Sequence, residues 1–571
     1  MAIFSFVNRS SGSAYFVLET FNTGGFYDSN SLNGALGAYY NFTGSTQYSL
    51  VSSNYAMGYV VPPGSSSFEF NPTEYIQTGS VWFRGTGDFT VRIVGEVTSS
   101  VYGPDQISNK RLLNTIPLEN VFEVTWNTTR TTAGSSTATQ VALPLMTTAT
   151  GGIYNFIIKW GDNTSSSISS SLQSEVTHTY ASSGTYTTKM WGTMRGWRFA
   201  NTGDRSKVQT VNKWGGLQIL SGPSLGDGAG NNCAAFTGCN SASFANVIGV
   251  PDLRYTDSLR GFFNQAINIT TVNNLEKWDI SGVNSLRLMF YNCIKFDQNI
   301  GSWNTSRVTN LVGIFGVNVT AQPEGNMGIF NNGGSPSIGN WDVSKVTDMS
   351  SMFVNQIRFN QNIGNWDVSN VTTFSAMFGV YLSPATPWQT MSGSFNNGGS
   401  PSIGNWNTSK VTSFNSMFTG QLNFNQNIGN WDVSKVTTFQ NMFLVFAPTP
   451  AFTASLFTFN NGGSNSINNW NLASATRVDY MFQDAGKFNQ PIGNWRISSV
   501  SNFTDFMLNK TFNDYSVTNY DALLNGWASR PVVSARSINF GTIKYSAAAS
   551  ASRAILTSAP NSWTIVDGGQ V

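Results

Sequence analysis

The chain carries one histidine, His178, and three cysteines, Cys233, Cys239 and Cys293. Zinc is held by several nitrogen, sulfur or carboxylate ligands together. A thiol or hydroxyl nucleophile needs a base that a third group orients. A lone imidazole and three scattered thiols furnish neither, so no metal centre and no triad is expected. His178 reads more simply as a side chain hydrogen-bonded within its own domain. The odd, sparse cysteine set defines no disulfide framework. A local Cys233–Cys239 bond is one reading, and three small buried hydrophobes is the simpler one. No glycine-rich loop follows a strand and opens a helix, which removes the usual phosphate cradle. Aspartate and glutamate total 29 in 571 residues without clustering, and no D-x-D-x-D run marks calcium. A glycosidase sets two carboxylates across one bond. The recurring Asp279, Asp342, Asp367 and Asp432 read more simply as turn formers. The expectation is a non-enzymatic protein with no cofactor.

Charged residues make up 11% of the chain, against about 25% in an ordinary soluble protein. The 31 basic and 29 acidic residues leave a net charge of +2, and Gly, Ser, Thr and Asn supply the polarity instead. Nucleic-acid affinity is built on clustered Lys and Arg, so no nucleic-acid partner is expected. So weakly charged a surface suits work outside cells. Aromatic residues reach 13%, with 17 Trp and 41 Phe, too many for a chain that buries nothing. The segment Met1–Arg9 has a short apolar run and no basic region before it, which predicts no secretory leader. The most apolar stretch, 444–459, is broken by Pro448 and Pro450, so no membrane insertion is expected. At 571 residues the chain exceeds one core and divides into several domains.

A repeat positions most of these residues. The stretch from Ile363 to Phe378 recurs between about residues 274 and 507, marked by Trp278, Trp303, Trp341, Trp366, Trp406, Trp431, Trp470 and Trp495. Their spacing alternates between 25 and 38–40 residues, so the unit is a pair of copies. Such arrays bury their apolar side only against neighbouring copies. With the tryptophan as position zero, +5 is Val except at Ala475, +11 is mostly Met, and +12 is Phe except at Met507. These positions are the predicted core. Asn at −1 and Ser at +3 are predicted to stack as hydrogen-bonded ladders; a row of ligand contacts is the functional alternative. The phrase Trp-Asp-Val-Ser-x-Val predicts a short strand and turn. Thr-x-Met-x-x-Met-Phe has the i, i+3 spacing of a helical turn. Trp214 precedes Trp278 by the length of one pair, and Asp257–Phe263 is a worn copy of Asp348–Phe353, so degenerate repeats start near residue 216.

The longer copies carry insertions at one phase, roughly Gly316–Gly328, Gly379–Ser394 and Leu444–Thr458. Loops inserted at equal phase line one face, often the binding face. Tyr381, Trp388, Phe446 and Phe452 are the aromatic candidates for contacting a sugar or a protein. The alternative is that they pack back on the array.

Residues 1–117 read as a small antiparallel β-sandwich or jelly roll, with Phe89–Val94 alternating at period two. Anchoring or oligomerisation is the first reading of this domain and a passive spacer the second. The stretch Gln106–Asn114 reads as a linker. Residues 118–215 form a second β domain. Tyr154, Phe156, Ile158 and Trp160 share one strand face that runs into Gly161-Asp162-Asn163-Thr164, and His178-Thr179-Tyr180 and Gly184-Thr185-Tyr186 follow. This set resembles the PKD family, an immunoglobulin-like sandwich, which implies an extracellular spacer or binding module. Asn163 stands where that family has glycine, and Asn tolerates positive φ. The phrase Phe-Asn-Gln-Asn-Ile-Gly-Asn-Trp-Asp-Val-Ser at 359–369 and 424–434, with Met-Phe closing each copy, resembles the bacterial surface-protein 26-residue repeat, a BspA-like leucine-rich repeat. That resemblance implies a leucine-rich-repeat-like β-solenoid with short helical turns over 216–510, and a role in adhesion or host recognition. Residues 511–571, with helical Tyr520–Trp527 and Ser546–Leu556 and a strand at Trp563–Val566, resemble the same family's C-terminal cap.

The expected fold is therefore mainly β. The first functional reading is a virion structural protein, a phage fibre, spike or capsid decoration at the particle surface. Its N-terminal domain engages other virion proteins, and its array meets a host surface glycan or protein, as a homo-oligomer. A bacterial cell-surface adhesin is the second reading and a polysaccharide-cleaving enzyme the third.

Overall fold

The computed structural model describes residues 121–222, 232–319, 327–381, 393–445 and 457–571, together with the backbone of eight strands before residue 95. The expected linker Gln106–Asn114 and the middle of each insertion lie outside the described residues. The protein is mainly β with few helices, and each sheet described is open.

The first strands are β1 (Ala2–Asn8), β2 (Ala14–Asn22), β3 (Gly25–Phe26), β4 (Tyr48–Ser49), β5 (Met57–Val61), β6 (Gly64–Phe70), β7 (Thr78–Gly85) and β8 (Phe89–Val94). They pair antiparallel in two sheets, one ordered β6-β1-β8 and the other β3-β2-β5-β4 with β7 also on β2.

The next unit holds β9 (Phe122–Asn127), β10 (Gln140–Ala142), β11 (Ile153–Lys159), β12 (Ser165–Ile168), β13 (Thr177–Thr179), β14 (Thr185–Arg195), β15 (Val208–Lys213) and β16 (Leu217–Gln218). The main sheet runs β12-β11-β14-β9-β15, with β16 on β14, while β10 pairs with β13. Tyr154, Phe156, Ile158 and Trp160 all point into the core, as their alternation demands. The edge formed by β15 and β16 is not left open. Thr210, Lys213 and Gln218 bridge in parallel to Ser243, Ile248 and Asp252 of the first degenerate repeat. The Trp214 ring meets Trp278 at 5.6 Å. One buried apolar cluster then runs from Phe122 to Trp563.

Positions +5, +11 and +12 are buried in every copy. The +12 rings, from Phe290 to Phe482, step 5.5–5.9 Å apart with nearly parallel planes. A second column, from Phe296 through Phe359 to Phe488, steps 5.8–6.2 Å. It lies face-on to the first at 3.7–4.1 Å. The tryptophans make a third column, and from Trp303 to Trp495 each indole donates to a carbonyl of the preceding copy, as Trp366 does to Ile338 (3.1 Å) and Trp431 to Ile403 (3.0 Å). Burying one phenylalanine is worth roughly 1.5–3 kcal/mol, and a stacked pair adds about 0.5–1.5 kcal/mol. Parallel pairing between copies is confined to isolated bridges, as along Asp348–Thr373–Ser413 and at Gly328–Gln356 and Gly393–Gln421. Stacked rings and backbone bonds between turns, rather than extended strands, join the copies.

The predicted helical turn is not a helix. Met349, Ser351, Phe353 and Asn355 donate their amides to Thr373, Ser375, Met377 and Gly379 of the next copy, while Met352, Val354 and Gln356 close turns onto Met349, Ser351 and Phe353. Position +10 is left-handed in all eight copies, with φ between 50° and 59° from Leu288 to Asp505. A left-handed residue cannot propagate a right-handed helix. Each turn instead aims alternate amides along the stack. Short 3-10 turns do occur, but before the tryptophan of the longer copies, as at Pro336–Asn340 and Pro401–Asn405.

The polar ladders run in columns other than those predicted. Asn340, Asn365, Asn405, Asn430, Asn469 and Asn494 at −1 are exposed. Ser344 at +3 donates its amide and hydroxyl to Asp342 of its own copy (3.0 and 2.6 Å). The asparagine ladder follows the second ring column. Asn360 donates its amide to Asn331 Oδ1, Asn396 to Asn360, Asn425 to Asn396, Asn460 to Asn425 and Asn489 to Asn460, at 2.7–3.0 Å. Asp297 and Ser516 supply its two ends (2.8 and 2.9 Å). The hydroxyl ladder stands at +6, where Thr372, Thr412, Thr437 and Thr476 each bond to the threonine carbonyl before it.

Past Phe506 the same columns continue in a different dress. Tyr515 extends the second ring column beyond Phe488 (6.3 Å). Trp527, in α1 (Val517–Ala528), donates to Ile492 as an array tryptophan does (3.2 Å). β17 (Ser537–Asn539) bridges Phe503 through Ile538 and pairs in parallel with β18 (Thr564–Val566), which follows α2 (Ser550–Thr557).

Candidate functional site

The residues with the most chemical potential are used structurally. His178 Nε2 lies 2.7 Å from Asp162 Oδ2, and its ring stacks on Trp160 at 4.6 Å. Tyr180 donates its phenol to the Trp160 carbonyl at 2.9 Å, and Asn163 makes the turn with φ 68°. Burial acts to raise the Asp162 pKa, but hydrogen bonds from Thr164 and His178 hold the carboxyl below its usual range. The three cysteines are free and buried. Burial pushes the Cys233 thiol up to about 12 and raises Cys239 and Cys293 as well, so none presents a thiolate at neutral pH. Among the described residues no group of His, Cys, Asp or Glu is arranged to hold a metal ion. No helix described is long and apolar enough to cross a membrane.

The insertions leave the stack at one place, where side chains of the following copy pin the first two. Buried Gln356 donates to the Phe315 carbonyl and accepts from the Phe330 amide (2.8 Å). One side-chain amide thus holds both ends of the first insertion. Gln421 does the same at Phe378 and Phe395 (2.9 Å to the latter). Asn355 donates to the Val317 carbonyl (2.6 Å) and accepts from the Tyr381 amide (2.7 Å), linking the first insertion to the second. Their stems also meet through Val319, Met327 and Val380, with Ile357 alongside. After the third insertion Ala485 stands at the glutamine position.

The structure places Tyr381 half-buried at the base of the second insertion. Burial raises its phenol pKa, opposed by a hydrogen bond with Ser416. It packs back on the array there. Trp388, Phe446 and Phe452 lie outside the described residues.

A site that sequence reasoning missed opens at the first repeats. A groove of about 810 Å³ runs between the segment 250–257 and the turns at 277–282 and Arg307. Tyr255 is 36% exposed and carries the Arg195 guanidinium 3.6 Å from its ring centroid. Asp252 takes two bonds from Arg254 (2.9 and 2.7 Å), which set its carboxyl below the ordinary range. Arg254 donates its amide to Asp252 as Ser281 does to Asp279, both at 3.1 Å. That shared turn aligns Tyr255 with Gly282, and Gly282 with Arg307 one copy later. The signal was present in the sequence. This column is Lys, Asn or Ser in the later copies, and only at its start is it Tyr, Gly and Arg.

Residues 256–332, 326–383 and 389–527 match the family model described as "Mycoplasma protein of unknown function, DUF285". The DUF285 match begins at the groove, covers the tryptophan array and ends in α1. No curated protein and no solved structure matches the chain.

Proposed function

We propose that this chain is a non-enzymatic structural protein of a virus particle, a phage fibre, spike or capsid decoration, that holds a repeat array out for host or surface recognition. In this reading the DUF285 region is a solenoid of the leucine-rich-repeat, BspA-like kind. Residues 118–215 are a PKD-like sandwich at its start, and residues 511–571 close its end. The observation that carries the reading is the contrast between scaffold and insertion. The copies repeat the same ring columns and rungs with few exceptions, whereas the inserted segments differ from one another and two are clamped at the same phase by Gln356 and Gln421. A uniform scaffold that presents variable loops is the arrangement of a display protein. The weak net charge supports contacts that salt does not screen. Residues 1–117 anchor the chain to other virion proteins, and the array meets a host glycan or protein as part of a homo-oligomer.

A bacterial cell-surface adhesin is the second reading, and one observation favours it: the matching family is described from Mycoplasma, a cellular organism. Peptide mass spectrometry on density-purified virus particles, with the washed cell-surface fraction beside them, separates the two. Stoichiometric peptides in the particle support a virion component. Peptides confined to the cell-surface fraction transfer the protein to the adhesin class.

A further inference from the structure

We infer that the groove beside Tyr255 is a binding site for a short oligosaccharide, separate from the insertion face. The inference goes beyond the display reading and holds for a virion or a cell-surface protein alike.

The argument starts from charge density. In a chain with 11% charged residues, the groove collects Asp252, Arg254, Asp257, Lys277, Asp279 and Arg307 along one wall. Three are acidic and three basic, so the groove is nearly neutral and presents both donors and acceptors. Several are held in place: Asp257 by the Ser221 hydroxyl (2.7 Å), Asp279 by Ser281 (2.6 Å) and Lys277 by Asn274 (2.8 Å). Pre-oriented groups lose little freedom on binding.

Beside this wall stands one aromatic surface. The Arg195 guanidinium lies 3.6 Å from the Tyr255 ring centroid and that of Arg254 5.7 Å from it, so the phenol ring stands between cations at the mouth of the groove. Between Tyr255 and Arg307 the column has no side chain, because Gly282 occupies it, and a Cβ built there meets nothing within 4 Å. The gap is therefore open space and not a packing requirement.

The ligand follows from these features. Hydroxyl groups donate and accept at once, which suits alternating carboxylate and guanidinium groups, and the C–H face of a sugar ring suits an aromatic platform. A polyanion needs clustered cations without balancing carboxylates. A peptide added as a strand needs a free edge, and Asp252 already donates to Leu217 and accepts from Ile219. The volume falls in the range of small-ligand sites.

The test screens the full chain against an array of defined neutral, amino-sugar and uronic-acid oligosaccharides, then titrates the best of them by calorimetry. Gly282→Trp fills the gap without removing any described contact, and Tyr255→Ala removes the platform. Each is expected to weaken binding at least tenfold with the melting curve of Gly282→Trp unchanged. Replacing 379–394 by the shorter 354–358 link is expected to change it less than twofold. The proposal is overturned if the full chain retains no oligosaccharide, if binding survives Gly282→Trp, or if a peptide or nucleic acid binds in the groove instead. Loss with the loop replacement but not with Gly282→Trp overturns it too, and leaves the insertion face as the binding surface.

Discussion

Ala376 holds φ at 56°, a conformation that costs an L-residue with a Cβ roughly 1–2 kcal/mol. Ala376→Gly is therefore expected to stabilise the array by about 1 kcal/mol, read as a higher urea midpoint. The same column holds Leu288, Gly313, Ser351, Ser416, Asn441, Tyr480 and Asp505, which share no chemistry. Nothing in residue type marks the position as left-handed, and so the apolar i, i+3 spacing reads as helix. The asparagine ladder was half legible. Asparagine recurs both at −1 and after the second phenylalanine, and periodicity alone cannot say which column faces its own kind. Asn396→Ala leaves the Asn425 amide without its acceptor and should cost about 1–3 kcal/mol. Asn365→Ala, at the exposed column, should stay within about 0.5 kcal/mol. Lys510 is a buried cation. It donates to the Ala485 carbonyl at 2.6 Å, yet burial, opposed by Asp514, lowers its pKa to about 7. The unfolded chain keeps that proton to near its ordinary 10.5. Across the window between the two values the unfolded state therefore binds more protons, and stability rises with pH by up to about 1.4 kcal/mol per unit. Lys510→Met should flatten this slope between pH 7 and 9 and raise stability at pH 6. A steeper slope in the variant would contradict the assignment.

The insertion is an element with two anchored ends. In the short copies five residues, 354–358, join the two phenylalanine columns, whereas 379–394 do so in a long one. Because Phe378 and Phe395 occupy the same columns as Phe353 and Phe359, the short link should fit the long copy. Grafting it in place of 379–394 is expected to keep the ring stack folded by near-ultraviolet circular dichroism, at the loss of the Val380 contacts. Loss of the near-ultraviolet signal would mean that the insertion supports the scaffold. The columns themselves were largely readable, since +5, +11 and +12 recur with fixed types and are buried in every copy. The second phenylalanine column stands in the most repetitive phrase of the chain, but pairing it face-on with +12 requires knowing how the turns bring the two together. The groove's column is marked in the sequence by Tyr255, Gly282 and Arg307, but that it opens as a groove is not, because it arises where the repeat has decayed and its partners come from three copies and from β14.

Across the molecule, the sheet before residue 216 and the array share one core and one set of parallel bridges. A chain beginning at Gly216 would expose the partner edge at Ser243 and Ile248 together with the face of Trp278 that meets Trp214. Open edges recruit other chains, so this truncation is expected to elute as aggregates in size-exclusion chromatography. A chain beginning at residue 119 should stay soluble. Aggregation of neither would mean that the array closes itself without the sheet. The alternation of long and short copies has a consequence for inheritance. Gln356 and Gln421 sit in short copies and reach back to the long copy before them. A single copy lost or gained would strand an insertion without its clamp, whereas a gain or loss of one whole pair would leave every rung and ring with a neighbour. Related genes should therefore differ in length by multiples of the distance from Trp341 to Trp406, so that reach is adjusted by duplication while each inserted segment mutates on its own.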